Sequence, residues 1–460
     1  MHKLTFTLKQ HTPLIHFQPD QQGATLRASE VKPRLDRFII EKLGSGDYKA
    51  GAKIAHTNNW LIKGAEYPAL DYKMRINSSG HTLFVIASRL IKNQPLLLQL
   101  KGYSTIAPSP YFSQEKEISD LFEKADPEDA NSDFKFKDDI DKRLNELDKK
   151  GIHSNNIECR AFSFLPQLLI EINKYICEFF IYENFGCRQS KGFGSFTVEY
   201  INKILCDIDH EKRLKDQFKF VFKKNIDYHN LSLLFKQIQE DYKLLKSGQN
   251  SPYAKSKLFL HHLPIRWEKR KIKQDINSDP ITLTVGAITG SVQLKSNHPP
   301  VLDENNSNAW DDPNDDLKYR YIRVLLGLTD QMEFLADFNL TSGYGRIPKV
   351  KYFIQIKSRN SFERYRSPIL FKVINNTIYM VGNDVNSELL STPQNQKYFD
   401  FTAKVKVNEK LQDTPIRTLT PLSTPYSFDL LTFIDFALAN ENDKKISDYR
   451  RLKPEPEKDM

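Results

Sequence analysis

Apolar residues along this chain switch repeatedly between the two-residue alternation of half-buried strands and the three-and-four spacing of helices. The first stretch, Lys3 to Lys9, alternates as a strand and runs into Thr12-Pro13-Leu14-Ile15 and a polar turn over 18–23. A helix follows, with Val31, Leu35, Phe38 and Ile39 as its buried stripe. Ser29 as its N-cap makes Pro33 the fourth helical residue, where a missing amide costs nothing. Thr82 to Ala87 and Leu96 to Leu100 read as strands, and a second helix runs from Phe162 onward, with Ser163 as its cap and Pro166 in its first turn. Leu169, Ile172, Ile176, Phe179 and Phe180 form its apolar face, and Gly186 stands where a C-terminal cap belongs. Phe196, Val198 and Tyr200 then alternate as a strand. Strand, helix, strand, strand, helix, strand is the order of a ferredoxin-like β-α-β-β-α-β domain.

Beyond it, 206–250 reads as helical on Leu231, Leu234, Phe235, Ile238, Tyr242 and Leu245. Lys257 to Ile265 returns to strand character, Thr282 to Val285 is a strand, and Tyr321 to Leu328 is a short buried helix. Lys349 to Ile356 is a strand, Ser367 to Val381 a hairpin turning at Asn375-Asn376, and Phe428 to Leu438 a last helix. The expected fold class is therefore α+β, with two ferredoxin-like (RRM-like) domains carrying helical and loop insertions. The expected partition is 1–205 with a charged insertion over 113–150, a helical bridge over 206–250, a second such domain over 251–440, and a disordered tail over 441–460.

At 460 residues the chain exceeds one typical domain, and 39% hydrophobic with 27% charged residues is the composition of a globular protein. No apolar run of about 18 residues is present, and the start carries no apolar signal core, so a cytoplasmic protein with no membrane contact is expected. Cys159, Cys177, Cys187 and Cys206 are scattered without a C-x-x-C pair, which encodes neither a zinc site nor a disulfide framework.

The net charge of +9 permits a polyanionic partner, and its distribution sharpens that. Between Ser342 and Val373 stand eight bases (Arg346, Lys349, Lys351, Lys357, Arg359, Arg364, Arg366, Lys372) and one acid, Glu363. Asp311, Asp312, Asp315 and Asp316, in an acidic stretch over 303–316, are of a type that could hold a divalent ion, but their spacing does not match a calcium loop and a solvated loop is the favoured reading; no metal and no cofactor are expected.

Two loops combine glycine, aromatic and basic residues. The first, Gly186 to Phe196, sits between the second helix and its strand; the second is Ser342-Gly343-Tyr344-Gly345-Arg346. Glycines let a ligand approach bare amides while Arg188 and Lys191 supply positive charge; the same glycines also suit an ordinary helix-to-strand turn. Arg27, beside the amides that open the first helix, is a candidate phosphate ligand. Arg34 and Arg37 either join it or form a solvated face paired with Glu30 and Glu41.

The loop Gly186 to Phe196 resembles the glycine-rich signature of the RAMP superfamily of CRISPR-associated proteins. Thr12-Pro13-Leu14 followed by Leu26-Arg27-Ala28-Ser29-Glu30-Val31-Lys32 resembles that superfamily's amino-terminal element. Arg364 to Val373 resembles the R-x-x-S-P hairpin of the first subunit of its Cmr (type III-B) branch. The resemblance departs at Cys187, Gln189 and Pro33. It implies paired ferredoxin-like domains that contact RNA through its backbone, within a multi-subunit effector of antiviral defence. The implied partners are RNA, as guide (crRNA) and/or target, and the other effector subunits. The candidate RNA-binding residues are Arg27, Ser29, Lys32, Arg34, Arg188, Ser190, Lys191, Gly192, Phe193, Gly194, Tyr344, Arg346, Lys349, Arg364 and Arg366.

A non-catalytic RNA-binding subunit is the primary expectation. The alternative is a RAMP endoribonuclease, cutting target RNA or processing crRNA, with Asp20 and His16 as candidate catalytic residues and His11 as a further acid-base group. Asp20 also suits a plain turn. A third reading is a scaffold whose basic segment meets an acidic neighbouring subunit.

Overall fold

The computed structural model describes residues 1–15, 25–87, 90–107, 118, 120–147, 150–226, 230–250, 253–263, 265–294, 319–328, 331–360, 365–408, 410–412, 417–439, 445–446 and 448–453. Asp20, His16, Arg364 and the acidic stretch 303–316 lie outside these residues.

The first strand, β1 (His2–Gln10), buries Leu4, Phe6 and Leu8 on one side, as its alternation requires. Helix α1 (Ala28–Leu43) follows, with Arg27 rather than Ser29 at its N-cap. Pro33 is consequently the sixth helical residue, not the fourth, and leaves the Ser29 carbonyl without its helical donor. A helix α2 (Tyr48–Thr57) leads to strand β2 (Lys73–Ile86). Leu96 to Leu100, expected as a strand, instead belongs to helix α3 (Gln94–Leu100), with Pro95 in its first turn. A short apolar run carries no period that separates the two states, and the proline decides for a helix start. Strand β3 (Tyr103–Ile106) comes next. The charged insertion holds a small hairpin, Phe122–Lys124 with Phe134–Phe136, and helix α4 (Ile140–Glu146).

Strand β4 (Lys150–Ser163) keeps Phe162 and Ser163 in the sheet, where the helix start was expected; Ser163 Oγ accepts from the Leu165 amide at 3.1 Å, but Leu165, not Ser163, is the N-cap of helix α5 (Pro166–Tyr182). The helix stops at Glu183, three residues before Gly186, so Gly186 is not its cap. Strand β5 (Phe196–Ile201) follows. The expected helical bridge contains helix α6 (His210–Gln217), strand β6 (Phe220–Asn225) and helix α7 (Leu231–Lys246).

Lys257 to His261 forms helix α8 (Lys257–His261), capped by Ser256 accepting from Phe259, where a strand was expected. Helix α9 (Glu268–Ser278) follows and includes Lys269, Arg270, Lys271 and Lys273. Strands β7 (Ile281–Val285), β8 (Ile288–Leu294), β9 (Gln331–Ser342) and β10 (Val350–Ser358) come next; the short buried helix near 321–328 is a single 3₁₀ turn, Arg323–Leu326. The hairpin of β11 (Ile369–Ile374) and β12 (Thr377–Gly382) turns at Asn375, whose φ of 51° is left-handed. Strand β13 (Tyr398–Val407), helix α10 (Leu430–Ala439) and strand β14 (Arg450–Arg451) complete the chain, so part of the expected disordered tail is a paired strand.

These elements form two compact units, Met1–Tyr242 with Ile369–Asn383 and Ser447–Met460, and Lys243–Pro368 with Asp384–Ile446. In the first, the larger sheet has the order β3-β2-β4-β1-β5, extended by Ile204–Leu205; β2 and β3 pair in parallel and the other neighbours antiparallel. Leu35, Ile39, Ile172, Ile176 and Phe180 from α1 and α5 join Leu4, Phe6 and Leu8 of β1 in one core. A second sheet, β11-β12-β6-β14, contains the hairpin. In the second unit the sheet β7-β8-β9-β10-β13 joins strands in chain order, each antiparallel to the next. That sequential order is not the crossed strand order expected of a ferredoxin-like domain.

Strand β11 is buried at every position, and one of those positions is Lys372. Its ammonium donates to the carbonyls of Phe180 at 2.7 Å, Glu183 at 2.8 Å and Phe196 at 3.0 Å. Three N–H donors thus meet three acceptors at the C-terminal end of α5 and the start of β5, where the helix dipole also favours a cation. Burial pulls the lysine well below its ordinary pKa. Removing the amine while keeping the stem, in Lys372→Met, strands all three carbonyls. We expect a loss of roughly 2–4 kcal/mol in urea unfolding of the full chain; an unchanged midpoint contradicts this role.

Candidate nucleic-acid interface

The loop from Gly186 to Phe196 folds into a closed internal joint. Several of its amides are used within the protein: Gly186 donates to Glu30 Oε1 at 2.7 Å, Cys187 to Ile15 O at 2.7 Å, Gly194 to Pro13 O at 2.9 Å and Ser195 to Thr12 Oγ1 at 2.9 Å. The Phe371 amide of β11 donates to Ser190 O at 3.3 Å, and Ser195 Oγ donates to Val373 O at 2.5 Å. Asn184 Nδ2 bridges the Gln189 and Phe371 carbonyls at 2.8 and 2.9 Å. Glycine is required at Gly194, where φ is +65° and an added Cβ would lie 1.9 Å from Phe185 O. The same holds at Gly186, whose Cβ would meet Ile15 O at 2.4 Å. These glycines serve close packing of backbone on backbone, not a bare cradle of amides.

Several candidate residues consequently face inward. Phe193 is fully buried and stacks on Phe235 with centroids 3.9 Å apart, so it is core and unavailable to a base. Lys191 lays its ammonium on the Tyr242 ring. Lys32 donates to Asp36 Oδ2 at 2.6 Å and Leu70 O at 2.9 Å and caps the Tyr72 ring. Arg34 donates to Asn184 O at 2.9 Å, pairs with Glu183 and covers the Phe185 ring. It ties α1 to the end of α5. Arg37, by contrast, is exposed and paired with Glu41, as the solvated-face reading had it. Gly192 and Gly194 are buried and Ser190 is half-buried.

The outward-facing candidates are fewer. Glu30 in the first turn of α1 grips the Gly186 amide, which brings Arg27 and Ser29 to the corner where Arg188 emerges. Arg27 is half-buried, while Ser29 and Arg188 are exposed. In the second unit, Tyr344 lies on the turn between β9 and β10 and is 96% exposed, with Arg346 and Lys349 exposed beside it. Arg366 is also exposed. Lys372 was counted with the basic segment but is internal; its place inside the unbroken run Ile369-Leu370-Phe371-Lys372-Val373-Ile374 is the signal that it is buried on both faces. Among the described residues, no group of histidine, cysteine or carboxylate side chains is placed to hold a metal.

His11, weighed as an acid-base group, is a structural link. Asn375 N–H donates to its Nδ1 at 3.1 Å, so Nε2 carries the proton and donates to Thr197 Oγ1 at 2.8 Å. Burial, and then the Lys372 charge, hold its pKa well below the ordinary value. Protonation would abolish the bond from Asn375.

A family model for the Cmr1 N-terminal domain matches residues 1–249, and one for the Cmr1 C-terminal domain matches residues 253–453. The chain is a CRISPR-associated protein of the RAMP superfamily. Within it, the chain belongs to the Cmr1 family, and membership implies a subunit of a type III-B CRISPR effector complex. Among curated proteins none matches the chain. Among the described residues no helix is long and apolar enough to cross a membrane.

The His11 geometry sets a pH dependence. An unfolded histidine takes up a proton below pH ~6.5, whereas the folded His11 resists it, so acid favours the unfolded chain. Stability is full above pH ~6.5 and falls as pH drops towards the lowered folded value, by up to about 1.4 kcal/mol at pH ~5.5 for this one group. Urea unfolding at pH 7.5 and 5.5 should show a smaller acid-side loss in His11→Gln than in wild type. Equal losses contradict the assignment.

Proposed function

We propose that this subunit contacts RNA without cutting it, holding the backbone of guide or target RNA within the effector. The observation that carries the reading is Tyr344, an almost fully exposed aromatic between two glycines, beside exposed Arg346 and Lys349. An aromatic face stacks on any base, and neighbouring cations bind phosphates regardless of sequence. Base pairing then reads the sequence. A second contact corner within the first unit is assigned to Arg27, Ser29 and Arg188; Arg366, in the second unit, is a separate exposed cation. The ferredoxin-like reading is kept for the first unit: the order β5-β1-β4-β2, with α1 and α5 as the crossing connections, supports it. Neighbouring Cmr subunits are the expected protein partners.

Lys32, Arg34 and Lys191, with their heads engaged inside the first unit, act through the fold. The expected ligands are Arg188, Tyr344, Arg346 and Lys349. With a single-stranded oligouridylate, affinity resting on six to ten phosphate contacts would fall by roughly 300- to 20,000-fold between 50 and 200 mM salt. Tyr344→Ala should lose about 1–3 kcal/mol of binding with thermal unfolding unchanged. A flat salt response, or a Tyr344→Ala variant that binds as wild type, contradicts the proposal.

A further inference from the structure

The carboxyl-terminal segment, read from sequence as disordered, carries charge on a fixed strand. Strand β14 pairs antiparallel with β6, Arg451 opposite Phe222 and Arg450 opposite Lys223, and is the terminal strand of its sheet among the described residues. It is anchored on both sides. Before it, the half-buried Tyr449 donates its hydroxyl to Asp241 Oδ2 at 3.1 Å, and Asp241 is itself buried. After it, the Leu452 amide donates to Val221 O at 2.8 Å, and the Leu452 side chain packs against the cluster of Ile181, Leu214 and Val221.

Between and beside these anchors stand exposed Arg450, Arg451 and Lys453, with half-exposed Lys224 on β6. In the described part of 445–453 there are four bases, Lys445, Arg450, Arg451 and Lys453, and one acid, Asp448. The Leu452 amide faces β6, so the alternation of an antiparallel pair turns the Arg451 amide towards the outer edge. Cations held on a strand lose less conformational freedom on binding than cations on a loose tail, which raises their value as ligands.

We propose that this edge binds the phosphodiester backbone of single-stranded RNA, with Arg450, Arg451 and Lys453 as its phosphate ligands. The inference rests on the RNA-binding reading above and adds a surface to it in the first unit. Charges on an edge strand also blunt edge-to-edge pairing of sheets. The two roles separate by experiment.

The test compares the full wild-type chain with Arg450→Ser/Arg451→Ser/Lys453→Ser for binding of an oligouridylate across a salt series, with size-exclusion chromatography of both proteins. The expected result is a weaker complex at low salt and a slope of log affinity against log salt reduced by about 2, near 0.7 per phosphate contact on a single strand. Arg450→Lys/Arg451→Lys should restore the slope. Wild type that binds RNA while the triple variant keeps the same affinity and slope overturns this inference and leaves the earlier reading standing. A triple variant that self-associates but binds RNA unchanged overturns it in favour of edge protection. Wild type that binds no RNA overturns both. Should the triple variant fold poorly, Arg450→Gln alone carries the test, with an expected slope reduction of roughly 0.7 and the same contrary outcome.

Discussion

A single buried ammonium organises the first unit. Lys372 reaches from a hairpin nearly two hundred residues downstream to three carbonyls at the junction of α5 and β5. Those carbonyls would otherwise be orphans in a dry interior, and a buried acceptor without a donor is more costly than the net worth of one hydrogen bond. The lysine would be equally costly without them. Each solves the other's problem, and the joint solution pins β11 beneath the glycine loop.

Much of the loop's composition follows from that constraint. Phe371 and Val373 flank Lys372 on β11, and their backbones bond the loop at Ser190 and Ser195. The loop must therefore lie flat between β11, the chain at Pro13–Ile15 and the start of α1. Glycine at 186 and 194 is the residue that allows this approach. Charge is sorted by the same packing. Lys191, Arg34 and Lys32 set their charged heads over aromatic rings inside the first unit, whereas Arg188 and, in the second unit, Tyr344 and Arg346 face outwards. A motif built of glycine, arginine and lysine is here mostly architecture, with the RNA-facing chemistry proposed for residues at its margin.

Legibility in the sequence followed the length and clarity of each pattern. The helix from Pro166 and the turn at Asn375 were readable because one has a long apolar face and a proline start, the other a residue tolerant of left-handed backbone. Leu96 to Leu100 and Lys257 to Ile265 were misjudged because short apolar runs hold no decisive period. Strand β6 was hidden between two helices in a stretch read as helical throughout. The three RAMP-like elements pointed to the correct family. What they could not show was direction, since a lysine in a basic segment reads as surface charge until its neighbours on both faces are found buried. The placement of the hairpin in the first unit was likewise beyond a linear partition, because the Lys372 contacts join residues far apart in the chain.

The claim that the glycine loop is architecture while exposed residues meet RNA is tested most directly by hydrogen exchange of the full chain, with and without a single-stranded oligoribonucleotide. Amides of 192–195 should be strongly protected in the free protein and unchanged by RNA, while amides around Tyr344 to Lys349 gain protection. Rapid exchange of Gly194 and Ser195 in the free protein, slowed only when RNA is added, would contradict the account.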